Sequence, residues 1–185
     1  MQEYIDLGHM QLSKLTEAEG SKSFYLPHHP VIKEATTKVR VVFDGSAKNI
    51  YRFSPNDALC VGPFFQDELL TTILRFRTYP IALVGDIAKM YRQVLVHPDE
   101  VPLQSIFWRF SSDMPVQTFD LLIVTYGLAP SSFLATRTLL QLSDDVDRSY
   151  SLGSKALRKG FHVDDFIGGE QTVERAIRLR IELSK

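Results

Sequence analysis

Along residues 38–43 apolar and other positions alternate. Val39, Val41 and Phe43 fall on one side, and Arg40 and Val42 on the other, which predicts a strand. Asp44-Gly45-Ser46 then reads as a turn and residues 45–63 as loop, punctuated by Ser54-Pro55-Asn56 and Gly62-Pro63. Over residues 66–78 the period changes to that of a helix, with Leu69, Leu70, Ile73 and Leu74 on one face. After Pro80 comes the apolar run Ile81-Ala82-Leu83-Val84, ending at Gly85-Asp86, which predicts a strand buried on both faces. Residues 93–96 read as a short extended piece. Residues 104–110 and 116–125 read as two strands of a hairpin, and 131–142 as a helix with Ser132, Ala135, Leu139 and Leu142 on one stripe. Residues 161–167 form strand, turn and strand around two aspartates. Residues 170–183 form a helix with Val173, Ile177 and Ile181 inward and Glu174, Arg175, Arg178 and Glu182 on a solvated face.

Residues 1–24 are polar and weakly patterned, a short helix or loose lead-in broken at Gly20-Ser21. The prolines of Tyr25-Leu26-Pro27-His28-His29-Pro30-Val31 predict extended chain. Helices and strands mix without strict βαβ alternation, so the expected class is α+β, an antiparallel sheet with helices packed on one face. No internal repeat, low-complexity tract or second domain is visible.

Composition narrows the function. With 185 residues, 44% of them hydrophobic, the chain can build a core. Lys and Arg number 21 against 22 Asp and Glu, a net charge of -1, which argues against a dedicated basic nucleic-acid module but not against a polymerase with a carboxylate cluster. The single cysteine, Cys60, rules out an intrachain disulfide and argues against a cysteine-based metal site. There is no apolar run long enough to span a membrane, and Met1-Gln2-Glu3-Tyr4 lacks the pattern of a signal peptide. Phosphate-binding glycine loops, H-E-x-x-H and G-x-S-x-G are all absent, which disfavours unrelated nucleotide-binding enzymes, zinc proteases and serine hydrolases.

Two apolar strands carry aspartates at their ends. Asp86 follows Ile81-Ala82-Leu83-Val84-Gly85, and Asp164-Asp165 follow Phe161-His162-Val163. Adjacent carboxylates repel, and charge beside buried strands is costly. A divalent cation removes both penalties, and an all-oxygen donor set suits Mg²⁺ or Mn²⁺. On spacing alone, a plain turn remains the commoner explanation of such a pair. Ser143-Asp144-Asp145-Val146-Asp147 also pairs carboxylates, and reads as a solvated loop.

Several segments, in order, resemble the boxes of reverse transcriptases. Arg40-Val41-Val42-Phe43-Asp44-Gly45-Ser46-Ala47-Lys48 is similar to the fingers strand. Asp86-Ile87-Ala88-Lys89-Met90-Tyr91-Arg92-Gln93-Val94 is similar to the first catalytic box. Val124-Thr125-Tyr126-Gly127-Leu128-Ala129 resembles the nucleotide-pocket box, and Phe161-His162-Val163-Asp164-Asp165 the Tyr-x-Asp-Asp box. Tyr25-Leu26-Pro27-His28-His29-Pro30-Val31, Asn56-Asp57-Ala58-Leu59, Lys89-Met90-Tyr91-Arg92-Gln93-Val94 and Phe133-Leu134-Ala135-Thr136-Arg137 resemble Pao/BEL-class LTR retrotransposons in particular.

The resemblance implies a reverse-transcriptase fingers and palm over residues 25–185, with residues 1–24 leading in, truncated before a thumb. It implies RNA-directed DNA synthesis with two Mg²⁺ or Mn²⁺ ions, dNTPs and a primed RNA or DNA template, in cytoplasmic particles, with the thumb and RNase H regions of the polyprotein absent. Asp86, Asp164 and Asp165 would be the catalytic, metal-binding carboxylates, and the Ile87 carbonyl would join them. Tyr91 would be the steric gate against a ribose 2′-hydroxyl. Arg40 and Lys33 would meet the triphosphate, a planar guanidinium suiting the former role. Tyr126 and Gly127 would shape the nucleotide pocket. His28 and His29, adjacent on an extended chain, point opposite ways and read as structural. Trp108 and Phe107 read as core or template-side packing.

Two positions depart from the family pattern: His162 stands where an aromatic Tyr or Phe is usual, and Ser132 where a Pro is usual, with Pro130 earlier. Arg40 could also be merely the exposed face of its strand and Tyr91 a core aromatic. Two other readings remain at this point. One is an inactive palm-like remnant serving as a folded or interaction fragment, and the other a metal-dependent phosphotransferase or nuclease using the same carboxylates.

Overall fold

The computed structural model describes residues 1–14, 23–33 and 38–184. The break expected at Gly20-Ser21 lies outside them. The chain divides into two compact units, Met1–Val61 with Tyr91–Ser131, and Gly62–Met90 with Ser132–Lys185.

The first unit holds a helix, α1 (Gln2–Asp6), and strands β1 (Met10–Leu12), β2 (His28–Lys33), β3 (Lys38–Phe43), β5 (Ser105–Trp108) and β6 (Gln117–Leu121), with a short helix α2 (Pro55–Ala58) inside the stretch predicted as loop. β1, β6 and β5 form one antiparallel sheet, and β2 pairs with β3 from His28↔Phe43 to Lys33↔Lys38. The segment read as a lead-in thus supplies both α1 and β1. The alternation in β3 is realised at its base: Phe43 is buried and Val41 packs against the core, while Val39 near the other end is exposed. Tyr4, Met10, Leu26, Ile106, Phe119, Leu121 and Ile123 complete that core. Gln104, also buried, donates through Nε2 to the carbonyls of Leu121 and Ile123 at 2.6 and 2.8 Å, satisfying backbone where β6 ends. Residues 94–96 pair with 122–124 through Val96 N–H to the Leu122 carbonyl and Val124 N–H to the Val94 carbonyl, the extended piece expected there.

The second unit is a three-stranded sheet, β4 (Ile81–Asp86), β8 (Asp165–Glu170) and β7 (Phe161–His162), in the order β4-β8-β7 and antiparallel throughout. Helices α3 (Leu69–Phe76), α5 (Ser151–Lys159) and α6 (Val173–Leu183) pack on it, and α4 (Ser131–Val146) precedes α5. Directly opposite residues of an antiparallel pair share a face. Leu83, Gly168 and Phe166 therefore lie on one side, the helix-covered one, and Val84, Asp86 and Asp165 on the other.

Two expectations about this unit are corrected. β4 is not buried on both faces: Val84 is 75% exposed, because helices cover one side only. On α3 the shared face of Leu69, Leu70, Ile73 and Leu74 keeps substantial exposure, a point the apolar pattern left open, and the buried position is Thr72. On α6, Val173, Ile177 and Ile181 are exposed and Ala176 and Leu179 are buried. The reason is a polar anchor. The Glu182 carboxylate, its side chain 7% exposed, accepts the N–H groups of Leu152 and Gly153 at 3.0 and 2.9 Å, while Arg178 bonds its other oxygen. The Ala176-Leu179-Glu182 stripe thereby faces inward, and Glu182 is not on a solvated face. The aspartates at 144 and 145 are likewise in helix α4 and not a loop: Asp144 pairs with Arg158 and Asp145 accepts from Gln141.

Candidate active site

The Asp164-Asp165 turn is a two-residue hairpin loop. His162 pairs with Asp165 and Phe161 with Phe166, leaving Val163 and Asp164 at the tip. Hairpins this tight need backbone of left-handed sense. Val163 supplies it, with φ of 56°, a region in which Gly is usual. A β-branched residue in that region is strained by about 1–3 kcal/mol.

The turn is tied at two points within its unit. The Ile87 N–H donates to the Asp164 carbonyl at 3.0 Å. The Gln66 side chain accepts the Val163 N–H through Oε1 at 2.8 Å and donates through Nε2 to the Val163 carbonyl at 3.5 Å. The Ile87 carbonyl, for its part, accepts the Met90 N–H at 3.1 Å.

Register sets the carboxylates. Asp86, the last residue of β4, stands opposite Asp165, the first of β8, so both project from the uncovered face, and both are exposed. Asp164 precedes Asp165 in the turn and is half-buried. Among the described residues no Lys, Arg or His forms an ion pair with Asp86, Asp164 or Asp165, and no group of three or more His, Cys, Asp or Glu forms a ready-made metal cage. Facing carboxylates that form no ion pair among the described residues, all oxygen donors, fit a cation held by one or two carboxylates together with substrate phosphate and water, which is how Mg²⁺ binds.

In the first unit the box expected to line a nucleotide pocket is built on close backbone approach. Gly127 has φ of 96°, and a Cβ there would lie 2.1 Å from the Phe43 carbonyl oxygen; one on Gly45 would lie 2.5 Å from the Gly127 carbonyl. Only glycine allows the β3 end and the 126–129 loop to meet this closely. Asn56 locks the junction, its Nδ2 donating to Ser46 Oγ and the Gly127 carbonyl, each at 2.9 Å, and its Oδ1 accepting the Ala129 N–H at 2.8 Å. Tyr126 is 43% exposed, and its ring lies 4.3 Å from that of the half-buried Tyr91. Arg40 is exposed on β3 opposite Val31 and has no carboxylate partner among the described residues. Lys33 closes β2, its backbone in register with Lys38.

Each unit thus gathers part of the expected set: Asp86, Ile87, Asp164 and Asp165 in the second, Lys33, Arg40, Tyr91, Tyr126 and Gly127 in the first. Sequence reading missed the bonds that Asn56 and Gln66 make to distant backbone. Both act over long sequence separation, which no local pattern reveals. His162 is half-buried and its Nδ1 has no hydrogen-bond partner among the described residues. The His28 ring packs at a tilt against those of Phe43 and Trp108, at 6.0 and 5.7 Å, a packing role as expected. Phe107 stacks on Tyr25 at 4.2 Å. α4 starts at Ser131, whose hydroxyl donates to the Thr125 carbonyl at 2.6 Å, so helix initiation here does not depend on a proline at 132.

No protein-family model matches this sequence, and no curated protein matches it. Solved structures do. The prototype foamy virus protease-reverse transcriptase, as a CSH mutant, aligns with a TM-score of 0.69 at 15% identity, covering 98% of this chain and 20% of that one. The foamy viral protease-reverse transcriptase in complex with an RNA/DNA hybrid aligns with a TM-score of 0.67 at 16% identity, covering 99% of this chain and 20% of that one. The chain therefore spans about a fifth of the length of these structures. At this identity the likeness establishes the fold, and the chain has the α+β fold of a reverse-transcriptase domain.

Proposed function

We propose that this chain is the fingers and palm, over residues 25–185, of a reverse transcriptase of the Pao/BEL class of LTR retrotransposons, catalysing RNA-directed DNA synthesis in cytoplasmic particles. The observation that carries the reading is the Asp86↔Asp165 register beside the Asp164 turn, on the uncovered face of a sheet, in a fold shared with reverse-transcriptase structures. The class assignment is supported by the sequence boxes alone.

In this reading Asp86, Asp164 and Asp165 hold divalent cations, Mg²⁺ or Mn²⁺. When bound, such ions lower the pKa of a primer 3′-hydroxyl and neutralise the leaving pyrophosphate. The protein's own part is positioning. The Ile87 N–H and Gln66 keep the Asp164-Asp165 turn in place. In the first unit, Arg40 and Lys33 bind triphosphate oxygens, Tyr126 and Gly127 shape the nucleotide pocket, and Tyr91 rejects a ribose 2′-hydroxyl. The template is chosen by base pairing, so the protein grips backbone shape. One foamy viral structure of this fold carries an RNA/DNA hybrid, which supports a nucleic-acid partner. Among the described residues no helix is long and apolar enough to cross a membrane.

Primer extension tests the proposal. On a primed RNA template with dNTPs and Mg²⁺ or Mn²⁺, template-directed product that disappears in Asp164→Ala supports it. Product that persists unchanged in Asp164→Ala overturns it.

A further inference from the structure

Val163 is an anomaly that local sequence does not resolve. The first central residue of this hairpin tip needs a positive φ, which Gly adopts at no steric cost, yet the chain places a β-branched side chain there. A residue in such a region persists only where its surroundings over-determine it. Among the described residues, one side chain bonds the Val163 backbone. Gln66, 97 positions away in sequence and just before α3, covers both backbone polar groups of Val163 with one amide. The 2.8 Å bond from the Val163 N–H fixes which amide atom is oxygen, and the 3.5 Å contact to the carbonyl completes the fork. Neither group has a ladder partner at the hairpin tip, and a half-buried backbone left unpaired is costly.

We infer that Gln66 is a positioning residue: its side-chain amide clamps the strained Val163 backbone and thereby sets where Asp164 and Asp165 project. The inference rests on the reading of these aspartates as metal-binding. Gln66 touches no reacting group; it acts on the carboxylates through the turn, as outer partners of metal ligands do, where their loss typically weakens metal affinity 10–100-fold. The Ile87 N–H holds Asp164 from the other side. Gln66 thus fixes the half of the turn that the sheet does not reach.

The test uses the full chain and two readouts: hydrogen exchange at the Val163 amide without metal, and Mn²⁺ affinity by electron paramagnetic resonance. Gln66→Ala is expected to speed Val163 exchange roughly tenfold or more and to weaken Mn²⁺ binding about tenfold. Gln66→Glu, which keeps the acceptor, is expected to retain protection of the Val163 amide, and it serves if the alanine variant does not fold. Val163→Gly removes the need for the clamp, so Gln66→Ala in that background is expected to leave Mn²⁺ affinity nearly unchanged. Unaltered Val163 exchange in Gln66→Ala overturns the clamp. An equal loss of affinity in both backgrounds overturns its action through the turn. Wild-type protein that binds no Mn²⁺ overturns the metal-binding reading, and exchange alone then decides whether the clamp exists.

Discussion

Asp86 and Asp165 face each other across the β4–β8 pair, two carboxylates on one uncovered sheet face, and neither forms an ion pair with a Lys, Arg or His among the described residues. Directly opposed like charges destabilise a sheet, so the arrangement costs stability unless something between them carries positive charge. In metal-free protein, Asp165→Asn should therefore raise unfolding stability by about 0.2–1 kcal/mol. Urea denaturation in the presence of a chelator checks this, and a clear loss of stability would show that the pair is not repulsive.

The junction of β3 with the 126–129 loop hangs on Asn56. Asn56→Ala removes three hydrogen bonds and should cost about 2–3 kcal/mol, at roughly 1 kcal/mol each. Asn56→Asp keeps the acceptor toward Ala129 and should fall between the two. If chemical denaturation shows Asn56→Ala within experimental scatter of the parent, the lock is not there.

Glu182 gives a pH dependence of known sign. Burial pushes its carboxyl pKa up, but hydrogen bonds from the Gly153 N–H, Arg178 and the Leu152 N–H outweigh this, and the net effect holds it below the usual glutamate range. A group depressed in the folded state stabilises fully above its unfolded pKa, roughly 4.3, and loses that contribution as pH falls through the folded value. Glu182→Gln should thus be less stable at pH 7 by about 1 kcal/mol, the difference between a charge-assisted and a neutral hydrogen-bond set. The two proteins should converge in acid. Thermal melts from pH 7 to pH 3 would reveal a constant gap if the carboxylate charge is irrelevant.

Much of the architecture was legible because it depends on local pattern. The β3 alternation, the hairpin of β5 and β6 and the strand–turn–strand around Asp164 all stand in runs that a short window can read. What failed, on α6, was the choice of inward face. α3 and α6 have regular apolar stripes, but an apolar stripe says only that a face exists, not that a partner covers it. On α6 the deciding interaction is polar and distant, Glu182 with the start of α5. Asn56 and Gln66 were missed for the same reason: each bonds backbone more than 70 positions away.

Tyr91 carries the specificity claim. If its ring rejects the 2′-hydroxyl, Tyr91→Val should raise ribonucleotide incorporation relative to deoxynucleotide by roughly 10–100-fold, the range that a change in pocket shape supplies. Primer extension with matched rNTP and dNTP pairs measures the ratio. An unchanged ratio in an active variant would remove Tyr91 from the gate.

The measurement that bears most directly on the central claim is an Mn²⁺ titration of the whole chain, followed by electron paramagnetic resonance, beside Asp86→Ala and Asp164→Ala. Saturable binding by the parent chain that both substitutions abolish is the expected result. Binding that survives both substitutions, or a folded parent chain that binds no Mn²⁺, would contradict the assignment of these aspartates as a catalytic metal centre.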